Sequence, residues 1–458
     1  MVAFALAGCG TTTYFAGRTL PPSGLTNRVL IAIQNPSSFT KGALVFVDAY
    51  YDTRYAYNNI NKTFSITGYS GALPSTIQNM PEEQLGMVYG SGDGGLTPIS
   101  YARESSNPAQ TGLNGPSSSV FVTRNQSYIF AASQSAHVLT VIDNTAGGDY
   151  AFSLPGVYRV SVNPGGSVAL AFVQNSNSIY YPRKLTAAQT VTYSGGAGTW
   201  PLNAVDCEPL NAPAWCLFQA ADANGTPLQF DRPVKAVFSS DGSTAYVLNC
   251  GPECGGTAAS VSLLPVAPMI FLLGQQSGNL PSSGSMTTIP IPGGASNALV
   301  TSSTMYVVGQ QLQSDGLFSG KLTEVNLRNN TASGSVPISD GSPGAPSRMI
   351  QADDSTLWIG MTKCNNGERY AKGLAYGCLT MYNTASHSVR MLEPYLGDLT
   401  GIADIEGLHK VYVAQGGQVY IYSTKDGSSI NNQYVEVTGT ASDVAYMDAK
   451  SDANNTVY

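Results

Sequence analysis

The chain of 458 residues carries little charge, since Asp, Glu, Lys and Arg together make up 11% of it, against about 25% in an average globular protein. Acidic residues outnumber basic ones, the formal net charge is -7, and the basic residues form no run. A protein that binds duplex nucleic acid needs a surface rich in Lys and Arg. The composition therefore excludes nucleic acid as a partner.

Histidine is also scarce, with three residues in the chain. The sequence contains no G-x-S-x-G, no H-E-x-x-H and no phosphate-binding loop. The Gly-rich residues 90–95 include Asp93 but lack the full acidic pattern of a calcium loop, so we interpret them as a turn, with calcium binding as the alternative. We expect no metal site and no cofactor, with calcium left open.

Long hydrophobic runs are absent as well. No apolar stretch approaches the roughly 20 residues that a membrane-spanning helix needs, and the most apolar one, residues 261–273, is broken by Pro265 and Pro268. Contact with a membrane is therefore expected only through a lipid attached near the N-terminus.

The first nine residues end with the sequence Leu6-Ala7-Gly8-Cys9, and a stretch that contains Thr and Gly follows them. This segment resembles the lipobox of bacterial lipoproteins, which implies that Cys9 is acylated and becomes the mature N-terminus. No Lys or Arg precedes Cys9, and the apolar part is short for a full signal peptide. We interpret residues 1–24 as a truncated signal and flexible tether, with an ordinary Ala- and Gly-rich terminus as the alternative. The expected location is the cell envelope, either periplasmic or surface-exposed.

The other cysteines agree with export, because disulfides persist in oxidising compartments. Without Cys9 an even number remains, and they form three couples that are close in sequence. Half of a zinc site at Cys250-x-x-x-Cys254 is the alternative, although no second pair of Cys or His has suitable spacing. The predicted couples are Cys207 with Cys216, Cys250 with Cys254, and Cys364 with Cys378.

Apolar and polar residues alternate with a period of two through most of the chain, which is typical of β-strands. Residues 238–249 are the clearest unit, a strand, an Asp-Gly turn and a second strand that reads FSSDGSTAYVLN. Looser copies recur about every 40 to 60 residues, a spacing that indicates a propeller or a solenoid. The segments that we interpret as innermost strands of successive blades are 76–78, 119–122, 158–162, 234–238, 297–300, 348–350, 401–403 and 443–446.

The end of that unit, Tyr246-Val247-Leu248-Asn249, resembles the signature of the YVTN-type β-propeller repeat family, and looser matches occur at 163–166 and 412–414. The resemblance covers most of residues 118–448 and is faint over 70–117. It implies a β-propeller and carries no catalytic residues.

Both chain ends are expected to share one blade. Residues 29–33, 44–48 and 63–67 read as its second, third and fourth strands, and 441–447 reads as its first. Such closure removes two exposed sheet edges. The sequence thus predicts an all-β propeller of seven or eight four-stranded blades, formed as a single domain by residues 25–458 with an insertion at 192–232. The number depends on whether 74–116 is a blade.

Ligands of propellers usually bind in the funnel at the face where the connections between blades emerge, and long loops fixed on a rigid scaffold often carry binding residues. We expect such loops at 34–42, 309–320 and 364–378. Solubilising, structural or turn roles are the alternatives for these side chains. The candidate ligand contacts are Arg369, Tyr370, Lys372, Tyr376, His137, Trp200 and Trp215.

Two functions remain open at the level of sequence. The favoured one is a non-enzymatic envelope lipoprotein, expected to be monomeric, that binds or scaffolds a protein or a glycan, because Tyr and amide side chains suit both ligands. The alternative is a lactonase-like hydrolase with a divalent cation in the central channel, held by Asp, Glu and Asn. Fold alone does not choose between them.

Overall fold

The computed structural model of the chain describes residues 20–56, 59–107, 111–189, 200–208, 214–339, 343–364, 376–392, 397–430 and 434–451. The protein is all-β, and its eight antiparallel sheets are arranged as an eight-bladed β-propeller. The predicted architecture is confirmed. Residues 74–116 form a blade of their own, which settles the number of blades at eight.

Each blade is a meander whose first strand lies nearest the central axis. Blade 1 consists of β1 (Arg28–Gln34), β2 (Gly42–Asp48) and β35 (Thr440–Tyr446), and blade 2 of β5 (Pro74–Met80), β6 (Leu85–Gly90), β7 (Gly95–Ser100), β8 (Ser105–Ser106) and β9 (Thr111–Gly112). Blade 3 consists of β10 (Ser119–Val122), β11 (Tyr128–Ser133), β12 (Val138–Asp143) and β13 (Gly148–Ser153). Blade 4 consists of β14 (Val157–Val162), β15 (Ala169–Val173), β16 (Ile179–Lys184), β17 (Ala204–Glu208) and β18 (Trp215–Gln219). A small hairpin, β3 (Tyr55–Ala56) and β4 (Asn59–Thr63), leads out of blade 1.

Blades 5 to 8 repeat the pattern with fewer outer strands in the last. Blade 5 consists of β19 (Pro233–Phe238), β20 (Thr244–Asn249), β21 (Ser260–Pro265) and β22 (Thr288–Pro290), and blade 6 of β23 (Asn297–Val300), β24 (Thr304–Leu312), β25 (Phe318–Asn326), β26 (Thr331–Ala332) and β27 (Val336–Pro337). Blade 7 consists of β28 (Ala345–Gln351), β29 (Thr356–Cys364), β30 (Tyr376–Asn383) and β31 (Val389–Leu392). Blade 8 consists of β32 (Leu399–Ile405), β33 (Lys410–Gln415) and β34 (Gln418–Ser423).

The Asp-Gly turn between β19 and β20 shows how the sequence sets these hairpins. Gly242 has a φ of 69°, which a side chain would strain, and its N–H donates to the Ser239 carbonyl at 2.8 Å. The Asp241 carboxylate accepts the Ser243 N–H at 3.0 Å and both neighbouring hydroxyls. Local side-chain acceptors therefore hold the turn in place of a partner strand.

Apolar side chains from facing sheets fill the space between neighbouring blades. Between blades 5 and 6, for instance, Val237, Tyr246 and Leu248 pack in one cluster with Ala298 and Val307. Each such side chain contributes about 1.5–3 kcal/mol when it leaves water. The signature Tyr246 is 7% exposed and so belongs to the core.

Blade 1 closes the ring with both chain ends, as predicted. β1 pairs with β35 from Val29 opposite Tyr446 onward. Next to this pairing the Arg28 guanidinium contacts the Asp448 carboxylate at 2.6 Å and that of Glu104 at 2.9 Å. Arg28 is 3% exposed, and a buried charge of this kind is tolerated only when it is paired.

Two details differ from the sequence prediction. Residues 309–320 are not a long loop, because β24 runs to Leu312 and β25 begins at Phe318, so the two strands continue as a paired hairpin. The 192–232 insertion contributes ladder strands rather than only a loop, since β18 takes the fourth position of blade 4 and β17 adds a fifth. Among the described residues, no helix is long and apolar enough to cross a bilayer.

Candidate functional site

One end of the central channel opens into a cavity of about 460 Å³. It lies where the innermost strands begin, as Ser75 of β5, Ser119 of β10 and Ser347 of β28 show by lining it. This is the face that carries the connections between blades, where the sequence analysis placed the ligand. The volume falls within the roughly 300–1,000 Å³ of small-molecule sites.

Six of the innermost strands contain a β-bulge near their start. In β19, Pro233 pairs with Asn249 and Lys235 pairs with Leu248, so Val234 is the extra residue. A bulge bends its strand and re-aims the side chains around it. The residue after the extra one thus has a defined direction in each blade.

The remaining two innermost strands achieve the same geometry at their first residue. The Ser118 N–H donates to the Ala132 carbonyl although Ala132 already pairs with Ser119, and Ser296 does the same at Val308. One position is therefore equivalent in all eight blades. We call these residues the channel ring; from blade 1 to blade 8 they are Asp443, Thr76, Ser119, Arg159, Lys235, Asn297, Arg348 and Gly401.

Side chains of several extra residues join their own blade to the next one. The Ser118 hydroxyl donates to the Tyr158 carbonyl at 2.6 Å, and the Ser347 hydroxyl donates to the Leu399 carbonyl at 3.1 Å. Between blades 1 and 2, the Ser442 hydroxyl donates to the carbonyl of Pro74 at 2.5 Å. These bonds fix the ring against its neighbours, so the channel wall is preorganised.

Three cations stand on one side of the channel ring, at Arg159, Lys235 and Arg348, and all three line the cavity. Each bonds toward the following blade. Arg159 Nη1 donates to the Val234 carbonyl at 3.5 Å, and Lys235 Nζ donates to Asn297 Oδ1 at 2.9 Å. Arg348 Nε donates to the carbonyl of Thr400 at 3.0 Å. These neutral acceptors do not cancel the positive charge.

The one acidic member of the ring is Asp443, which is fully buried. Its Oδ2 accepts the Ile77 N–H at 2.8 Å and lies 3.8 Å from Arg348 Nη2. The intervening blade contributes Gly401, and a Cβ there would lie 2.4 Å from Asp443 Oδ1. The missing side chain at Gly401 thus lets Arg348 and Asp443 approach each other. Burial nevertheless raises the pKa of Asp443, and the charge of Arg348 lowers it.

Lys235 has an altered acidity. Its side chain is partly accessible to the channel but surrounded by protein, and this desolvation lowers its pKa to about 7, helped by the charges of Arg159 and Arg348. Desolvation also lowers the pKa of Arg159, which remains charged because guanidinium ordinarily titrates far above neutrality. The cationic side of the ring is thus electrostatically strained in the absence of a ligand.

The opposite wall of the cavity combines hydroxyl groups and Tyr89 with Gln78 and the apolar side chains of Met87, Leu96 and Val120. Tyr89 lines it from β6, and its hydroxyl accepts the Ser117 N–H at 2.6 Å. Serine hydroxyls are both donors and acceptors and can reorient toward a ligand. The serines that line the cavity are Ser75, Ser91, Ser117, Ser118, Ser119, Ser296 and Ser347.

Glu253 lies next to this cavity and was not singled out from the sequence. It belongs to a short 3-10 helix, Gly251–Cys254, that the Cys250–Cys254 disulfide closes. The carboxylate accepts the Gln310 N–H at 2.8 Å, and burial raises its pKa to about 7, against the lowering effect of this bond and of a bond from Ser296. Glu253 therefore titrates near the physiological range beside a residue that lines the cavity.

All three predicted disulfides are present: Cys207–Cys216, Cys250–Cys254 and Cys364–Cys378. The first joins directly opposed residues of β17 and β18, and the third joins the end of β29 to β30. These six cysteines therefore form covalent cross-links, which agrees with an exported protein.

The candidate ligand residues of the 364–378 loop are not assembled into a described site. Arg369, Tyr370 and Lys372 lie outside the described residues, as does Cys9, and the side chain of Tyr376 at the start of β30 is outside them too. These positions remain predictions.

The other candidates lie away from the cavity wall. His137 is exposed in the turn between β11 and β12, and its Nδ1 accepts the Gly156 N–H at 3.5 Å. Trp200 is partly buried against the core between blades 4 and 5. Trp215 is fully buried and its indole N–H donates to Asp143 at 3.2 Å, so it contributes to the core rather than to an accessible surface.

Within the described ranges, one group could hold a metal ion, formed by the exposed Asp353, Asp354 and His409. These residues belong to the turns between the first and second strands of blades 7 and 8, on the face opposite the cavity. Asp354 accepts the Thr356 hydroxyl at 2.6 Å, and Asp353 accepts the Gly407 N–H at 2.8 Å. Both carboxylates thus hold the backbone of these turns.

Comparison with known proteins supports the fold and nothing narrower. Dihydro-heme d1 dehydrogenase NirN, solved in complex with DHE, is 11% identical; the alignment covers 94% of this chain and 79% of NirN, with a TM-score of 0.53. Apo AztD from Citrobacter koseri is 11% identical over 92% of this chain and 98% of AztD, with a TM-score of 0.51. At such identity the likeness defines this chain as a β-propeller.

No family model matches the chain, and no curated protein sequence matches it either. The resemblance to YVTN-type repeats and to a lipobox therefore stays a prediction from the residues.

Proposed function

We propose that this protein is a binding propeller of the cell envelope whose ligand is a small, hydroxyl-rich molecule of the glycan class, held in the cavity at the mouth of the channel. The observation that carries this proposal is the cavity itself, about 460 Å³ in volume and lined by serine hydroxyls beside Tyr89. Hydroxyl groups can satisfy a sugar's hydrogen-bond donors and acceptors.

A glycan suits this site better than a folded protein does. A protein partner buries about 800 Å² per side across a broad surface, whereas the cavity is concave and receives groups from at least six blades, as the ring residues show. Binding of a chain end or a short oligosaccharide would use this shape. A protein could reach it only with a protruding segment.

A hydrolytic role receives less support from the lining. The residues known to line the cavity include no His, Asp, Glu or Cys, whereas acid–base chemistry usually needs such groups in hydrogen-bond reach of each other. Lys235 titrates near neutrality but has no carboxylate or imidazole beside it within this lining. Three positive side chains also repel the divalent cation that a lactonase-like site would place in the channel.

The proposed envelope location rests on two supports. Three disulfides agree with folding in an oxidising compartment, and Cys9 stands in a lipobox-like sequence. Mass spectrometry of the native mature protein would detect the diacylglyceryl group on Cys9, and an unmodified Cys9 in membrane-extracted material would contradict the lipoprotein assignment.

The test of binding is a pair of tryptophan variants on opposite faces. Ser91→Trp introduces bulk at the cavity wall, whereas Ser240→Trp adds the same side chain to an exposed turn on the other face. Oligosaccharides that bind the wild-type protein on a glycan array or by calorimetry should lose most of their affinity for Ser91→Trp alone. Equal glycan binding by both variants would show that the binding site lies outside this cavity. Binding of peptides without binding of glycans by the wild-type protein would reject the glycan class of ligand.

A further inference from the structure

The charges of the channel ring are less balanced than those of the buried ion pairs that the structure describes elsewhere. Elsewhere the buried basic residues Arg28 and Lys184 each contact a carboxylate within 3 Å. On the ring, three cations face a single carboxylate, Asp443, so the formal charge there is three minus one, or +2. Repulsion among these three cations destabilises the folded protein.

The hydrogen bonds of the three cations leave much of their donor capacity available. A lysine has three N–H donors and an arginine has five. In the described part of the chain, Lys235 donates one hydrogen bond to an amide oxygen and Arg159 donates one long hydrogen bond to a backbone carbonyl. Arg348 donates one hydrogen bond from Nε to a backbone carbonyl. Arg159 Nη2 and Arg348 Nη1 therefore have donors for a further acceptor, whereas Arg159 Nη1 bonds to Val234 and Arg348 Nη2 faces Asp443.

We propose that Arg159, Lys235 and Arg348 form an oxyanion subsite of the cavity, which binds the carboxylate or phosphate group of an acidic saccharide. This inference rests on the proposed glycan-binding function and narrows its ligand to an anionic one. Guanidinium groups match carboxylate and phosphate oxygens in two-point contacts, and a lysine adds a third, point-like charge.

The arrangement around the ring explains how both parts of such a ligand are accommodated. The cations come from blades 4, 5 and 7, with the Asn297 amide of blade 6 between them. The serine and Tyr89 wall comes mainly from blades 2 and 3. An acidic group at the cationic side therefore leaves the sugar hydroxyls directed at the opposite, hydroxyl-rich wall.

Proton linkage supplies an independent signature. The groups that face Lys235 are Arg159 from β14, Arg348 from β28 and the neutral Asn297 from β23. Because the two arginines and desolvation lower its pKa to about 7, Lys235 is partly neutral in the free protein at slightly alkaline pH. A bound anion reverses the local field and raises that pKa, so binding takes up a proton.

The experiment compares acidic and neutral probes on matched variants. The probes are inorganic phosphate, glucose 6-phosphate, a short oligoglucuronate and the neutral oligosaccharide of equal length. The variants are Arg159→Gln and Arg348→Gln, with Arg328→Gln as control because Arg328 is exposed in a turn on the opposite face. Calorimetry at about pH 8 in two buffers of different ionisation enthalpy measures affinity and proton uptake together.

We expect acidic probes to bind the wild-type protein at least about tenfold more tightly than the neutral one, and each ring variant to lose about tenfold, while Arg328→Gln behaves as wild type. Preference between glucuronate and phosphate probes identifies the source of the oxyanion. Folding of the variants is checked by their thermal transitions. The transition should stay unchanged or rise in Arg159→Gln, which loses a repelling charge, and should fall in Arg348→Gln, which also loses the cation beside the buried Asp443 carboxylate.

The outcomes separate this inference from the proposed function. Equal affinity for acidic and neutral saccharides, with loss of both in Ser91→Trp, overturns the oxyanion subsite and leaves glycan binding intact. No response to any saccharide, together with phosphate binding that Arg159→Gln abolishes, retains the subsite and rejects the glycan class. Acidic probes that bind all variants alike, or that bind without proton uptake, overturn the subsite.

Discussion

Lys184 and Lys235 are two strand lysines in neighbouring blades that the protein treats differently. Lys184 Nζ lies 2.7 Å from Asp143 Oδ2, and the Trp215 indole donates to the same carboxylate at 3.2 Å. Lys235 bonds to the neutral Asn297 and shares the channel with Arg159 and Arg348. The first lysine completes a core; the second contributes unbalanced charge to a cavity.

This difference teaches how to separate structural from functional charge in a chain that has so little of either sign. A buried ion pair whose partners also bond to neighbours is self-sufficient, as at Asp143, which is additionally bonded by Thr145. Cations that are gathered without an equal number of carboxylates mark a candidate site for an anionic ligand. The buried pair of Arg28 with Asp448 and the partly buried pair of Lys410 with Asp52 are likewise structural.

The largest effect is expected at the self-sufficient pair. Asp143→Ala removes a fully buried carboxylate and leaves the Lys184 ammonium and the Trp215 N–H without their acceptor. We expect the free energy of unfolding to fall by about 3–5 kcal/mol, measured by urea denaturation.

The control for that variant is Asp149→Ala on the next strand of the same blade, where the side chain is exposed and a change within about 0.5 kcal/mol is expected. A loss below about 1 kcal/mol at Asp143 would mean that the pair contributes little and that the two lysines differ less than their contacts indicate.

Much of this architecture could be predicted from sequence, because its signals are local. The period-2 alternation located the innermost strands, including 158–162, 234–238 and 348–350, and the structure confirms each. The closure by 441–447 followed from a missing first strand at the N-terminus. Such inferences need only pattern and turn chemistry, which act over a few residues.

The cationic side of the cavity was missed although Arg159, Lys235 and Arg348 lie inside those predicted strands. Arg159, Lys235 and Arg348 are separated by more than 70 residues at each step, and only the ring brings them together. A signal did exist: in a chain with 11% charge, three innermost strands carry a cation at or beside their first predicted residue. Alignment of the strands by position, rather than inspection of loops, would have revealed it.

A smaller effect of opposite sign is expected on the ring. Lys235→Met keeps the length of the aliphatic stem and removes a charge that lies near two arginines. We expect the free energy of unfolding near neutral pH to rise by roughly 1 kcal/mol, in contrast to the loss at Asp143. A destabilisation of similar size would instead assign Lys235 a structural role through its bond to Asn297.

The smallest effect is a pH dependence that the comparison makes specific to Lys235. Its folded-state pKa of about 7 lies below the ordinary 10.5, so between these values the unfolded chain binds more protons than the folded one. The free energy of unfolding therefore rises with pH from about 7 to about 10.5, and the repulsive penalty is fully present below that range. The free energy of unfolding is measured against pH for the wild-type protein and for Lys235→Met, and the two curves are subtracted. The variant should lack the rise that Lys235 causes. In the wild-type protein this rise should stay below about 1 kcal/mol, because the side chain is partly hydrated. Other titrating groups, such as the buried tyrosines, cancel in the difference. Parallel curves for the two proteins would show that Lys235 keeps an ordinary acidity and that the ring is less strained than its charges imply.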